Sequence, residues 1–391
     1  MPVSPAFDVE SSVRQRYSSG AQQREDALCC PTDYDATYLA ILPREIIERD
    51  YGCGDPSRFV EQGETVLDLG SGGGKICYIL AQKVGSEGRV IGVDMNDDML
   101  GLARRHQPAI AAALGYDNVS FRKGRIQDLG LDLDHVQAWL GEHPVTDVDS
   151  LATLEAHCQQ LRREHPLVAD DSVDVVVSNC VLNLVATADK ARLFGEMFRV
   201  LRRGGRAVIS DIVCDEDPTP AIMNDPELWS GCISGAFRED RFLEMFEQAG
   251  FHGIEIIVRG EQPWRTIDGV EFRSMTVRAF KGKQGPCLER QQAVVYKGPW
   301  KQVRDDDGHV LHRGRRMAVC DKTYRIMTDP SGPYAGQVAA VEPLTAVPLE
   351  EAAAFDCRRS VERHPRETKG LEYRATTEAD PAACCGPEGC C

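Results

Sequence analysis

Val66-Leu67-Asp68-Leu69-Gly70-Ser71-Gly72-Gly73-Gly74-Lys75 runs an apolar stretch with one embedded acid into a glycine loop, and helix-compatible Ile76-Cys77-Tyr78-Ile79-Leu80-Ala81 follows at once. Strand, turn and helix in that order form the crossover of a nucleotide-binding sheet. The glycines permit tight backbone geometry and close approach of a ligand to the main chain. Downstream the same rhythm continues. Arg89–Asp94 reads as a second strand, Met99–His106 as helix, Val119–Phe121 as a third strand, Asp174–Ser178 as a fourth and Arg206–Asp211 as a fifth. A helix over Leu193–Leu201 is expected to stop at Arg202-Arg203-Gly204-Gly205. The alternation predicts an α/β fold, a doubly wound and mostly parallel sheet covered on both faces. An acidic, helix-compatible insertion from Leu129 to Val168 interrupts it.

Composition narrows the function. The 391 residues hold 61 acids against 45 bases, a formal charge of -16, so no nucleic-acid partner is expected. The N-terminus lacks a charged region followed by an apolar core, and no long apolar run occurs. A cytoplasmic chain with no membrane partner is the expectation. The 15 cysteines then read as reduced thiols, ligands or redox groups.

Around the sheet, the first 30 residues are polar with little periodicity before Cys29-Cys30. Tyr38–Arg49 reads as one amphipathic helix ending near Tyr51-Gly52-Cys53-Gly54, where flanking glycines predict a turn that exposes the Cys53 thiol. Cys214–Arg238 is loop-rich. A helix over Arg241–Ala249 and strands near Ile254–Val258 and Ser274–Phe280 complete the unit. Gly282–Pro286 reads as a linker into a small β-rich C-terminal module. Beyond Asp356 the chain is charged and poor in apolar residues and is expected to be mobile. It ends in Cys384-Cys385-x4-Cys390-Cys391, a spacing unlike zinc pairs that suits capture of a soft ion, disulfide shuttling or a solvated tail.

Asp94 closes the second strand about 20 residues after Gly74, where an acid accepts hydrogen bonds from ribose hydroxyls. Asp68 is unusual for dinucleotide sites, and Asp68-x-Gly70-x-Gly72-x-Gly74 resembles the class I, Rossmann-like S-adenosylmethionine-dependent methyltransferases. The resemblance implies S-adenosylmethionine as methyl donor. It places Asp68, Gly70, Ser71, Gly72, Gly74, Asp94, Met95 and Asn179 at the cofactor, with Ile126 and Asp128 near the adenine. A turn-holding role for Asp68 and plain packing for Ile126 stand as alternatives.

Ligands of open α/β sheets bind beyond the carboxyl ends of the strands. Cys180 follows the fourth strand and shares that edge with Gly70 and Asp94; Cys232, in the irregular segment after Asp211, can fold over it. Cys77, Cys158, Cys287, Cys320 and Cys357 read as small buried hydrophobes, and Cys214 fits either class. Together with Tyr51-Gly52-Cys53-Gly54, Gly92-Val93-Asp94-Met95, Ser178 to Val185, Leu228-Trp229 through Cys232 and Arg273 to Phe280, these pieces resemble the arsenite S-adenosylmethionine methyltransferases over roughly residues 25–282.

The resemblance implies a division into an N-terminal segment with Cys-bearing loops (1–63), a cofactor domain (64–213, insertion 129–168), an arsenic-binding segment (214–282), the module (283–355) and a Cys-rich tail (356–391). It implies that Cys53, Cys180 and Cys232 hold As(III), arriving as arsenite or a thiol conjugate, in a trigonal site. Soft arsenic prefers thiolates. Its lone pair stays free to attack the sulfonium methyl, with no general base for that step. Positioning alone can contribute roughly 7 to 11 kcal/mol. Cys53 with Cys29 or Cys30 would return the oxidised product to the trivalent state, and a glutathione- or thioredoxin-type reductant would reset them. The outcome would be arsenic detoxification. Two other readings remain: a methyltransferase for a different small substrate, and a thiol-rich metalloid-sequestering protein.

Overall fold

Successive residues of the central strands point to opposite layers, and both layers are apolar. Val66, Val175, Val177 and Val208 pack on one side with Ile76 to Val84 and with Leu100, Ala103 and Ile110. Their neighbours Leu67, Leu69, Val176 and Ile209 pack on the other with Leu193, Phe194, Met197, Phe242 and Phe246. Each such side chain, fully buried, contributes roughly 1.5–3 kcal/mol. The computed structural model describes residues 7–25, 32–49 and 51–373. The chain divides into two compact units, Met1–Gly282 and Lys283–Cys391.

The first unit contains strands β1 (Thr65–Leu69), β2 (Arg89–Asp94), β3 (Val119–Lys123), β4 (Val173–Asn179), β5 (Leu201–Cys214), β6 (Phe237–Arg238), β7 (His252–Arg259), β8 (Arg265–Ile267) and β9 (Val270–Phe280). The path through the sheet is β3-β2-β1-β4-β5-β9-β7, with β6 on β5 and β8 on β9. The first five are parallel, and β9 runs antiparallel to β5 and β7. The order reverses between β1 and β4, so the crevice lies beyond their carboxyl ends. Helices are α1 (Val9–Gln22), α2 (Ala36–Leu39), α3 (Arg44–Glu48), α4 (Lys75–Val84), α5 (Asp97–Leu114), α6 (Leu133–Glu142), α7 (Val148–Glu164), α8 (Lys190–Val200), α9 (Pro220–Met223), α10 (Pro226–Ser230) and α11 (Glu239–Gln248). This is the α/β architecture expected of a class I methyltransferase sheet.

Several local expectations change. The polar N-terminal stretch forms α1, capped by Asp8, whose carboxylate accepts the Ser11 N–H at 3.2 Å. The single helix expected over Tyr38–Arg49 is two short ones, because Pro43 supplies no N–H and caps α3 instead. Helix α8 stops at Val200, as expected ahead of Arg202–Gly205, but those residues go straight into β5. There Gly204 N–H donates to the Lys281 carbonyl at 2.7 Å, and Lys281 N–H to that of Gly205 at 2.9 Å.

In the second unit, Ala293–Tyr296 pairs with Arg316–Ala318 and Val338–Val341, and helix Asp321–Thr328 links these two outer strands in sequence. Leu288–Glu289 pairs with Ala353–Ala354. Residues after 356, where a mobile tail is expected, make hydrogen bonds to the rest of the unit as far as Thr368. Ala318 N–H donates to the Val361 carbonyl at 2.8 Å, and the buried Arg363 guanidinium grips both Glu289 oxygens at 2.8 Å. One charge of this stretch, Arg363, is thus buried and paired. Among the described residues no helix is long and apolar enough to cross a membrane.

Candidate functional site

The glycine loop turns where β1 ends. Gly70 is left-handed (φ 69°), and a Cβ there would sit 2.4 Å from Val181, so loop and Cys180 segment can meet only because residue 70 has no side chain. Gly72 N–H donates to Asp94 at 2.9 Å; the other Asp94 oxygen takes the Asn96 N–H at 2.8 Å. Above this edge opens a cavity of about 450 Å³, walled by Gly70, Gly72, Asp94, Met95, Ile126 and Cys180 among others. That volume suits an organic cofactor. The opposite wall is α1, with Val9, Val13 and Tyr17 facing in. The sequence reading missed these three. Their i, i+4, i+8 spacing behind an Asp cap was the available signal.

Beneath the cavity three reactive groups converge. The Cys53 and Cys180 thiols and the Asp211 carboxylate have atoms all within 4.8 Å of one another. Cys53 is 4% exposed, so its turn buries the thiol and does not expose it as expected. The reason is Asn179. Its Oδ1 accepts the N–H groups of Cys53 at 2.9 Å and Gly54 at 3.1 Å; its Nδ2 donates to the Gly54 carbonyl at 2.8 Å and to the Tyr34 hydroxyl at 3.0 Å. The flanking glycines are what allow this. A Cβ on Gly52 would lie 2.3 Å from Asn179, and one on Gly54 2.7 Å from Ser210.

Cys232 stands beside the group rather than in it, its thiol donating to the Cys180 carbonyl at 2.9 Å. Both Cys180 (φ 64°) and Cys232 (φ 62°) occupy the left-handed region. For a non-glycine residue this costs on the order of 1–3 kcal/mol, and such strain concentrates at functional sites.

The electrostatics favour proton movement near the thiols. Burial raises the Asp211 carboxyl to about 6, although N–H groups of Ile212 and Leu182 and the Lys190 charge oppose the rise. The Leu182 N–H, Asn183 amide and Ile212 N–H each donate to it at 2.8 Å. Burial likewise lowers Lys190 to about 8, with Asp211 opposing; its ammonium lies 4.0 Å over the Phe237 ring. The Tyr17 hydroxyl is held well above its usual value by burial, then by the Cys232 and Cys180 thiols. Cys214, which fitted two classes, is a packing thiol. It is fully buried, and burial pushes it up to about 12.

The other expected cofactor residues divide. Asp94, Met95, Gly70, Gly72 and Ile126 line the cavity. Asp68 is buried below the loop and accepts the Cys77 thiol at 3.2 Å. Gly74 is the left-handed cap of α4, and a Cβ there would strike Phe121 at 2.9 Å. Ser71 is buried with its hydroxyl unpartnered among the described residues. Asn179 holds the Cys53 turn and is not on the cavity wall. Asp128 pairs with Arg162 of the insertion and Arg192 of α8, each at 2.8 Å, and is not on the cavity wall. Cys29 and Cys30 lie outside the described residues. Cys287, Cys320 and Cys357, read as separate packing residues, come together in the second unit.

Residues 60–250 match the model of a methyltransferase domain, and residues 283–373 that of a domain of unknown function. The chain is 32% identical over 342 residues to an arsenite methyltransferase of Aquipseudomonas alcaligenes, covering 82% of this chain and 88% of the relative. It is 29% identical over 302 residues to a human arsenite methyltransferase, covering 74% and 70%. The crystal structure of an arsenic(III) S-adenosylmethionine methyltransferase from Chlamydomonas reinhardtii superimposes with a TM-score of 0.54 at 27% identity, over 84% of this chain and 100% of that one.

Proposed function

Since the chain belongs to the arsenite methyltransferase family, we propose that Cys53, Cys180 and Cys232 hold trivalent arsenic at the floor of the cofactor cavity. The enzyme is an S-adenosylmethionine-dependent arsenite methyltransferase, a role consistent with detoxification. One observation carries the assignment of residues. Cys180 is both a wall of the cavity and a member of the thiol group with Cys53, so a single side chain joins the two halves of the site.

The cavity's fit to the cofactor rests on its volume, its glycine floor and the Asp94 carboxylate at the second strand end, the position that takes ribose hydroxyls. When bound, S-adenosylmethionine supplies an electrophilic methyl group on a sulfonium. The chain's part is to bind and aim the arsenic. Each thiol must lose its proton as the arsenic–sulfur bond forms, and Asp211 is the acceptor within reach. A carboxylate near 6 is ionised at neutral pH yet basic enough to help. Deprotonation also frees Cys232, because a thiolate no longer donates to the Cys180 carbonyl and is repelled by it. Tyr17, facing Cys232 from α1, then has a thiolate to donate to. Asn179 keeps Cys53 in place, and Leu182 and Asn183, bonded to Asp211, keep the Cys180 segment seated. Return of the product to the trivalent state draws two electrons from a cysteine pair, and an external thiol of glutathione or thioredoxin type restores that pair.

Purified enzyme with S-adenosylmethionine, a thiol reductant and arsenite should give methylated arsenic on speciation. Cys180→Ser and Cys232→Ser should each give none, and a turnover in either variant equal to that of the parent would overturn the ligand assignment.

A further inference from the structure

Far along the chain from the residues assigned above, the second unit builds a thiol site of its own. Cys287 directly precedes the strand Leu288–Glu289, and Cys357 follows its partner Ala353–Ala354. Phe355 N–H donates to the Cys287 carbonyl at 2.9 Å, which extends the pairing toward Cys357. Cys320 is the N-cap of the helix Asp321–Thr328, taking the Thr323 N–H at 3.4 Å and lying 3.2 Å from its hydroxyl. The three sulfurs all lie within 4.8 Å of one another, and each is a free thiol. Cys320 is fully buried, while Cys287 and Cys357 are partly exposed. The group therefore has a closed base and an open mouth.

We propose that Cys287, Cys320 and Cys357 form a second trivalent-arsenic site, separate from the one at Cys53, Cys180 and Cys232. The identity of the ligand rests on the proposed function; the three-thiol geometry does not. Structural zinc needs four ligands in a tetrahedron, and among the described residues no further Cys, His, Asp or Glu joins this group. Trivalent arsenic is complete with three thiolates and a lone pair, and its softness matches sulfur. Lys322 lies beside Cys287, and Cys320 sits at a helix N-terminus, so a positive charge and a positive dipole end face the group. Capture needs no redox step. Three arsenic–oxygen bonds of arsenous acid break and three arsenic–sulfur bonds form. The three thiol protons leave with the hydroxyl groups as three waters.

The test uses the full chain, reduced, without S-adenosylmethionine. Arsenite is added, excess is removed, and the remaining thiols are alkylated and mapped by mass spectrometry. Loss of labelling at Cys287, Cys320 and Cys357 together is expected. Equal labelling with and without arsenite at these three overturns the proposal. In Cys287→Ser/Cys357→Ser, arsenic bound per chain should fall by one, with the initial methylation rate at saturating arsenite unchanged. An unchanged stoichiometry, or zinc that arsenite cannot displace from the parent chain, also overturns it. The active-site reading fails separately: a chain that protects these thiols but produces no methylated arsenic keeps this site and loses the other.

Discussion

Gly52→Ala isolates the clamp on Cys53. Gly52 is not among the glycines with positive φ, so alanine suits its backbone and the objection is purely steric. The new Cβ would lie 2.3, 2.7 and 2.9 Å from Nδ2, Cγ and Oδ1 of Asn179. All three atoms of the amide head are struck, so rotating the amide cannot relieve the clash; head or turn must move. Four hydrogen bonds meet at that head. Losing two to four at about 1 kcal/mol each gives a penalty of about 2–4 kcal/mol. Converted to population, that removes Cys53 from its place by a factor of roughly 30 or more. The assay compares initial rates on arsenite and on trivalent monomethylated arsenic, with thermal unfolding alongside. Arsenite, held by three thiols in the proposed site, should slow by that factor. The methylated substrate can be held by Cys180 and Cys232 and should change little. Asn179→Ala already forfeits the same bonds, so adding it to Gly52→Ala should cost little more, a non-additive pair. An unchanged arsenite rate would falsify the clamp, and equal losses on both substrates would show that the damage does not act through Cys53.

Three further outcomes follow from the same geometry. Val13→Asp places a charge on the cavity wall formed by α1; calorimetry should show cofactor affinity reduced about tenfold or more with the fold retained, from the cost of desolvating the carboxylate, and unaltered affinity would remove α1 from the site. Because Asp211 titrates near 6, the rate of arsenite capture should fall as pH drops through about 6, when the carboxyl is protonated and cannot accept; Asp211→Asn should abolish that inflection, and a persisting one would assign it elsewhere. The stability effect has the opposite sense. The folded state disfavours the charged form, so the contribution of Asp211 declines as pH rises from 3.8 to about 6, and denaturant titrations across that window should lose this slope in Asp211→Asn.

How much of this could be read without coordinates varies by kind of signal. The strand from Val66 to Leu69, the glycine loop and Asp94 were legible because local backbone demands and two-faced apolar strands leave a pattern in consecutive residues. Cys180 was legible because topology alone assigns a strand end to an edge. Helix α1 was not, since its inward face covers a ligand cavity and its apolar markers are few, Val9, Val13, Tyr17 and the small Ala21. The clamp that Asn179 places on Cys53 was not legible, because nothing local announces that its amide bonds a turn 126 residues away. The convergence of Cys287, Cys320 and Cys357 was invisible for a similar reason. Each residue sits at the edge of a different short element, with no spacing motif to relate them. Pro43 shows the converse, a punctuating residue whose plain local meaning was overruled by an attractive periodicity.

The left-handed backbone at Cys180 and Cys232 gives those two positions an unusual evolutionary tension. Glycine would suit either one better, relieving on the order of 1–3 kcal/mol, yet it would remove a proposed arsenic ligand. Selection for a sturdier fold and selection for handling arsenic therefore pull in opposite directions at the same codons. A descendant released from arsenic should drift to glycine or asparagine there early, ahead of changes in the cofactor loop. In a set of relatives, the residues aligned with 180 and 232 would then report which lineages still meet their substrate.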